Sequence, residues 1–284
     1  MKKKHNSWIY LVLGVMLFSL ITVSALPLLG SVVEGQQFDR NANDEVFSLS
    51  QQELTKLEAE ASGYQKVLER EPKNDTALNG LLKIRLQQKD LEGAISPLTK
   101  LAELHPELTE YKILLAQAEQ QLADYEAAAA AYNEVLVEHP DDIYALSGIT
   151  NLYAAQEQPE RAIALLKKTI DLANREDNPA GSSIDRAAVK LLLGELYANQ
   201  KRYGEAIALY DELSEADRDD FRPILAKALV LEKQGDLAAA RPILERAYVA
   251  APEAYKDRIG NEMERIVRGI EASNNSADSA GSKE

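Results

Sequence analysis

Cysteine is absent. Its absence excludes disulfides, thiolate metal sites, cysteine nucleophiles and the lipid-bearing cysteine of a bacterial lipoprotein anchor. Glycine, proline and aromatic residues are few beside Ala, Leu, Glu, Gln and Lys, a mixture that favours helices over sheets. No glycine-rich phosphate loop, Gly-x-Ser-x-Gly elbow or His-Glu-x-x-His run occurs, so no enzyme class, cofactor or small-molecule substrate is expected. The histidines are His5, His105 and His139. The last two each precede a proline, one period apart, where a helix C-terminus favours them; metal ligands would have to converge on one ion, and no metal site is expected. Basic residues are outnumbered, 32 against 46 acids, and the net charge of -14 would repel phosphate backbones, so nucleic acid is not an expected partner. With so many acids, paired carboxylates arise by chance and do not point to a glycosidase.

What is present is a ruler. Alanine recurs at Ala94, Ala128, Ala162, Ala206 and Ala240, in steps of 34, 34, 44 and 34 residues, each opening an apolar run. Proline keeps the same beat at Pro72, Pro106 and Pro140, and Pro252 closes the last unit. A period of this length with this punctuation means stacked pairs of helices.

Before the array, Lys2, Lys3 and Lys4 precede an uncharged run from Trp8 to Leu29. That length spans the roughly 30 Å of a bilayer core at about 1.5 Å per residue, with Trp8 and Tyr10 at the interface. Residues 1–33 therefore read as one transmembrane anchor, crossing at 8–29. A cleaved signal peptide ending near Val23-Ser24-Ala25 is the competing reading. The lysines place the N-terminus inside and the repeats outside the cytoplasm or in a lumen. Residues 34–49 are polar and lack periodicity, as in a flexible tether.

Ser50 and Glu53 match a capping box, and Leu54, Leu57, Ala61, Tyr64 and Leu68 form one apolar stripe. Residues 50–72 are expected to be an N-terminal cap helix, a half repeat. Five units follow over 75–254: 75–108, 109–142, 143 to about 174, 187–220 and 221–254, each two antiparallel helices. Small residues Ala116, Thr150, Gly194 and Ala228 on the first helix allow close approach. Leu81, Leu115, Ile149 and Leu193 recur on the first helix, and Leu98, Tyr132, Leu166, Tyr210 and Leu244 on the second. The long step holds an insertion near 174–186 of loop composition, tolerable because lengthening a surface loop costs little. Pro97 and Pro242 fall inside second helices, where bends are expected. A capping helix at 255–272, with Ile259, Met263, Ile266, Val267 and Ile270 on one face, and a disordered tail at 273–284 complete the chain.

The unit from Ala187, with Leu193, Gly194, Tyr197, Ala206 and Tyr210, resembles the tetratricopeptide repeat (TPR), departing from it at Lys190 and Arg218. The resemblance covers roughly 50–272. It implies an all-α solenoid, a right-handed superhelix of antiparallel helix pairs, here preceded by one transmembrane helix. It also implies a concave groove lined by first helices that binds protein partners. The positions expected there are Asn79, Lys83, Glu110, Gln117, Asn151, Glu195 and Arg222, with Tyr144 and Leu191 as apolar contacts. The slots Asn79, Lys83, Leu114, Tyr144 and Gly148 do not reproduce the carboxylate clamp of chaperone co-factors in this family.

Tyr210 to Leu213, Asp220 to Lys227, and Pro252 with Tyr255 to Asp257 resemble membrane-anchored TPR proteins of cyanobacteria and the chloroplast Slow Green protein. That likeness implies a thylakoid assembly or biogenesis factor. An adaptor of the cell envelope outside the cytoplasm is the alternative, and it fits the lysine-set orientation.

Overall fold

The computed structural model describes residues 50–174 and 184–281, with side chains as far as Glu271. The expected anchor, the tether and most of the insertion lie outside the described residues. Among the described residues there are twelve helices and no strand. None of these helices is long and apolar enough to cross a membrane.

The described chain divides into two compact units, 50–156 and 157–281. The first holds α1 (Gln51–Arg70), α2 (Asp75–Gln87), α3 (Leu91–Leu104), α4 (Thr109–Gln121), α5 (Tyr125–Glu138) and α6 (Ile143–Ala155). The second holds α7 (Pro159–Ala173), α8 (Arg186–Asn199), α9 (Tyr203–Ala216), α10 (Phe221–Lys233), α11 (Leu237–Ala250) and α12 (Glu253–Gly281). Within each unit every helix packs on the next in sequence, and α4 also touches α6, as α8 touches α10. Within the units, the first helices α4 and α6, and likewise α8 and α10, thus stand side by side.

Local chemistry sets the helix ends. Asn74, Asp90, Asp124, Asp142, Asp185, Asp220 and Asp236 each accept a backbone N–H from the first turn of the helix they precede. Ser50 and Glu53 form the reciprocal capping box: Glu53 N–H donates to Ser50 Oγ (3.2 Å) and Ser50 N–H to Glu53 Oε2 (2.9 Å). First helices end alike. Lys89, Ala123, Glu157, Lys201 and Gly235 take positive φ, from 58° to 83°. In four of these turns the N–H of the following residue reaches back past a full helical turn, as in Asp90 to the Arg85 carbonyl (2.8 Å) and Arg202 to the Tyr197 carbonyl (2.8 Å). This left-handed cap satisfies orphan carbonyls and turns the chain straight into the second helix.

The ruler alanines Ala94, Ala128, Ala162, Ala206 and Ala240 are all fully buried. Space is tighter still at three glycines. A Cβ at Gly80 would lie 2.4 Å from the Tyr64 ring, at Gly148 2.4 Å from Tyr132, and at Gly194 2.5 Å from Tyr210. In the first unit Ala61, Leu81 and Ile84 form the small core that seats α1, joined by Leu57, Tyr64 and Leu68. In the second, Ile259 and Ile266 of α12 bury against Ala228, Ala240 and Leu244. Helices α3 and α11 run through Pro97 and Pro242. Helix α12 continues to Gly281, past the point where composition put a disordered tail. No proline follows Pro252 to stop it, and the intervening alanines favour helix.

Candidate functional site

In the first unit the expected groove positions fall on α2, α4 and α6. Asn79 and Lys83 lie one turn apart on α2. Asn79 is engaged in structure: its Oδ1 accepts from the Tyr111 hydroxyl at 3.1 Å, and its Nδ2 donates to the Asp75 carbonyl at 3.0 Å. Tyr111 is buried, so this bond pins α2 to α4 and commits part of the half-buried Asn79 amide to the fold. Lys83 is exposed, and Glu110 is half-buried.

Gln117 corrects the sequence reading. It is 0% exposed, and neither its amide nitrogen nor its amide oxygen has a hydrogen-bond partner. Helix α4 packs against α3, α5 and α6, so a position that helical spacing alone marks as open is covered. Tyr144, at the start of α6, is 47% exposed, an aromatic ring left in water on a first helix. Asn151 lies two turns along the same helix, half-buried.

In the second unit Leu191 and Glu195 lie on α8 and Arg222 on α10. Burial raises the Glu195 carboxyl above its ordinary range, with the Lys233 charge opposing. Burial lowers the Lys233 ammonium, with Glu195 opposing. Lys233 donates to Asn199 Oδ1 at 3.1 Å, so the half-buried Glu195 and Lys233 and the exposed Asn199 make a polar group across the two first helices. Arg222 is exposed but tied to its own helix cap. Its Nε lies 2.9 Å and its Nη2 2.8 Å from Asp220 carboxylate oxygens, which raises the guanidinium pKa still further.

Tyr111, Asn199 and Lys233 were not among the expected residues. The signal for the last two lies in the period itself, because Asn199 and Lys233 occupy the same position one 34-residue step apart. Other near-period contacts link the Thr109 hydroxyl to Asp142 Oδ2 (2.9 Å) and His105 Nε2 to Asp75 Oδ1 (2.6 Å). His139, the equivalent of His105, caps the C-terminus of α5. Among the described residues no group of three or more His, Asp or Glu side chains could hold a metal ion.

The tetratricopeptide repeat family model matches residues 113–179 and 151–221. The chain is similar in fold to yeast Tom70, with 15% identity and a TM-score of 0.51 over 81% of this chain and 45% of that one. It therefore spans less than half of the Tom70 chain. A tetratricopeptide repeat protein from Parabacteroides merdae gives 18% identity and a TM-score of 0.48, covering 77% of this chain and 86% of that one. Pseudomonas aeruginosa pilF gives 19% and 0.44, covering 71% and 87%. No curated protein matches in sequence. On its helix pairs, its family-model match and the fold it shares with Tom70, the chain carries tetratricopeptide repeats over residues 113–221 within an all-α helical-repeat fold.

Proposed function

We propose that this protein is a membrane-anchored scaffold whose first helices hold an extended or helical segment of a protein partner. The tetratricopeptide-repeat fold is that of a protein-interaction scaffold. The single observation that carries the binding site is Tyr144, half exposed on α6. An amphipathic ring in water contributes large contact area at little entropic cost, which makes it a natural anchor for a partner chain. Lys83 of α2, exposed, and Asn151 of α6, half-buried, are the further polar groove positions in this reading.

Residues 8–29 supply the membrane attachment in this reading, with Lys2, Lys3 and Lys4 inside and the repeats outside the cytoplasm or in a lumen. The likeness of Asp220 to Lys227 to photosynthetic TPR proteins supports an assembly or biogenesis role at a thylakoid. The lysine-set orientation favours a second reading, an adaptor in the cell envelope.

The experiment is capture from the native cell. The full chain, tagged at its C-terminus, is crosslinked, extracted from membranes and compared with Tyr144→Ala. Loss of the captured proteins at unchanged helicity supports the groove, and unchanged capture overturns it. Photosystem subunits or pigment-assembly enzymes among them select the assembly factor; envelope components select the adaptor. Protease added to right-side-out vesicles should digest the repeats, and full protection reverses the orientation.

A further inference from the structure

The second unit carries a cavity of about 370 Å³ that involves none of the groove positions. It opens between the second helices α9 and α11, with α10 between them. Its volume lies within the range of ligand pockets, on the order of 300–1,000 Å³. Ile224, almost fully buried, and Ile243, half-buried, give it an apolar floor.

Its charges are divided in an informative way. Lys227 Nζ lies 2.5 Å from Asp211 Oδ1, so that pair is satisfied within the protein. Arg218 and Arg246 also line the cavity, and both are exposed. Neither has a hydrogen bond, ion pair or ring contact among the described residues. Elsewhere in this unit the arginines are commonly engaged: Arg202 with Glu160 and Glu205, Arg222 with Asp220, Arg241 with Glu245, and Arg265 with Glu232 and Glu262. Three basic side chains against two acids, Asp211 and Glu215, leave the cavity locally positive on a chain of net charge -14. Such a spot draws an anion against the general field of the molecule.

We propose that this cavity is a second docking site, for an acidic peptide segment of a protein partner in which carboxylate and aliphatic side chains alternate. A guanidinium presents two parallel N–H donors that match one carboxylate, and a lysine ammonium cannot reproduce that fork. Arg218 and Arg246 hold the carboxylates, and the Ile224 and Ile243 floor takes the aliphatic side chain. Glu215 selects within the anions. It faces the same space and repels a compact dianion such as phosphate more than a singly charged carboxylate, whose peptide N–H groups it can accept. None of these residues belongs to the Tyr144 groove of the first unit, so the two sites recognise a partner independently.

The test is direct titration of the full chain with acetyl-Leu-Glu-Leu-Glu-Leu-amide, read by calorimetry. The Gln-for-Glu version of the same peptide and inorganic phosphate are titrated alongside it. The acidic peptide should bind, its affinity should fall with ionic strength, and the Gln peptide should bind about tenfold or more weakly. Arg218→Glu with Arg246→Glu should abolish the difference between the two peptides while leaving the circular dichroism unchanged. Arg218→Lys with Arg246→Lys keeps the charge and should bind with intermediate affinity. No binding of the acidic peptide, equal binding of the Gln peptide, tighter binding of phosphate, or unchanged affinity in both double variants overturns the proposal. Because the peptide comparison is made on the unaltered protein, it stands even where a variant fails to fold. Tyr144→Ala leaves this titration unchanged, which separates it from the groove.

Discussion

The ring of Tyr132 on α5 occupies the space that a side chain at Gly148 on α6 would need: a Cβ there would lie 2.4 Å from the ring. Tyr132 is fully buried, so the ring cannot swing into solvent to make room. Gly148→Ala gains helix propensity, about 0.5–1 kcal/mol, and loses more to overpacking, about 1–3 kcal/mol. The net result should be a lower urea midpoint. Tyr132→Phe is the counterpart. Its hydroxyl has no hydrogen-bond partner and burial pushes its pKa upward, so removing the oxygen should leave stability unchanged or raise it. A midpoint raised by Gly148→Ala would mean that the ring does not fill this space.

That pair also marks how far the sequence can be read. The alanine ruler and the helix pairing are legible because a small residue returning at a fixed period inside apolar runs marks repeated close approach of helices; all five alanines are fully buried. The role of Gly80 and Gly148 is not legible in the same way, because the tyrosine ring that each admits comes from the preceding helix. The groove is legible in outline only. Helical spacing puts Gln117 and Asn151 at equivalent places on their helices, yet Gln117 is sealed and Asn151 is half open. Which side of a first helix the next repeat covers depends on packing angle, and period alone does not encode that. The Asn79 amide is partly engaged for a related reason: the tyrosine that bonds it, Tyr111, sits on the next first helix.

The caps of the first helices predict a gain in stability. Ala123 holds φ at 63°, where a Cβ crowds the following carbonyl, and its equivalent in the last pair is glycine, Gly235, at 83°. Left-handed backbone costs an L-residue about 1–2 kcal/mol, part of which glycine gives back as extra freedom of the unfolded chain. Ala123→Gly should raise stability by about 0.5–1 kcal/mol. The exposed position leaves no packing to lose. Thermal unfolding followed by circular dichroism measures it; a lower midpoint would show that the alanine is not strained there.

Glu195 gives the second unit a pH dependence of definite sign. Burial raises its folded-state pKa above the ordinary value of 4.5, against the opposing charge of Lys233. Below that ordinary value the carboxyl is protonated in both states and costs nothing. As pH rises, the unfolded chain ionises first, so stability drains away until the folded carboxyl ionises too. Glu195→Gln cannot ionise. Relative to the variant, the unaltered protein should lose stability from about pH 4.5 upward, and the gap should be largest at neutral pH. Chemical denaturation of both proteins across this range reads the slope, and parallel curves would show that Glu195 does not set it.

The seating of α12 depends on one arginine between two acids. Arg265 Nη2 bonds Glu262 on its own helix and lies 2.8 Å from Glu232 Oε2 on α10. Glu262 is 4% exposed, and burial raises the Glu232 carboxyl while the Arg265 charge holds it down. A hydrophobic replacement, Arg265→Leu, leaves two covered carboxylates facing each other with no cation. Stripping a buried charge of its partner costs about 3 kcal/mol at the lower end of its range. The loss should be greatest at neutral pH and shrink as pH falls into the carboxylate range, because a protonated Glu232 no longer repels its neighbour or needs the guanidinium. Urea unfolding at pH 7 and near pH 4.5, where carboxyls begin to protonate, distinguishes this from simple loss of packing, which would cost the same at both. Since Ile259 and Ile266 remain buried, helicity should survive while the end of the array loosens. Amide exchange faster in α12 than in α9 would locate the loosening at this contact.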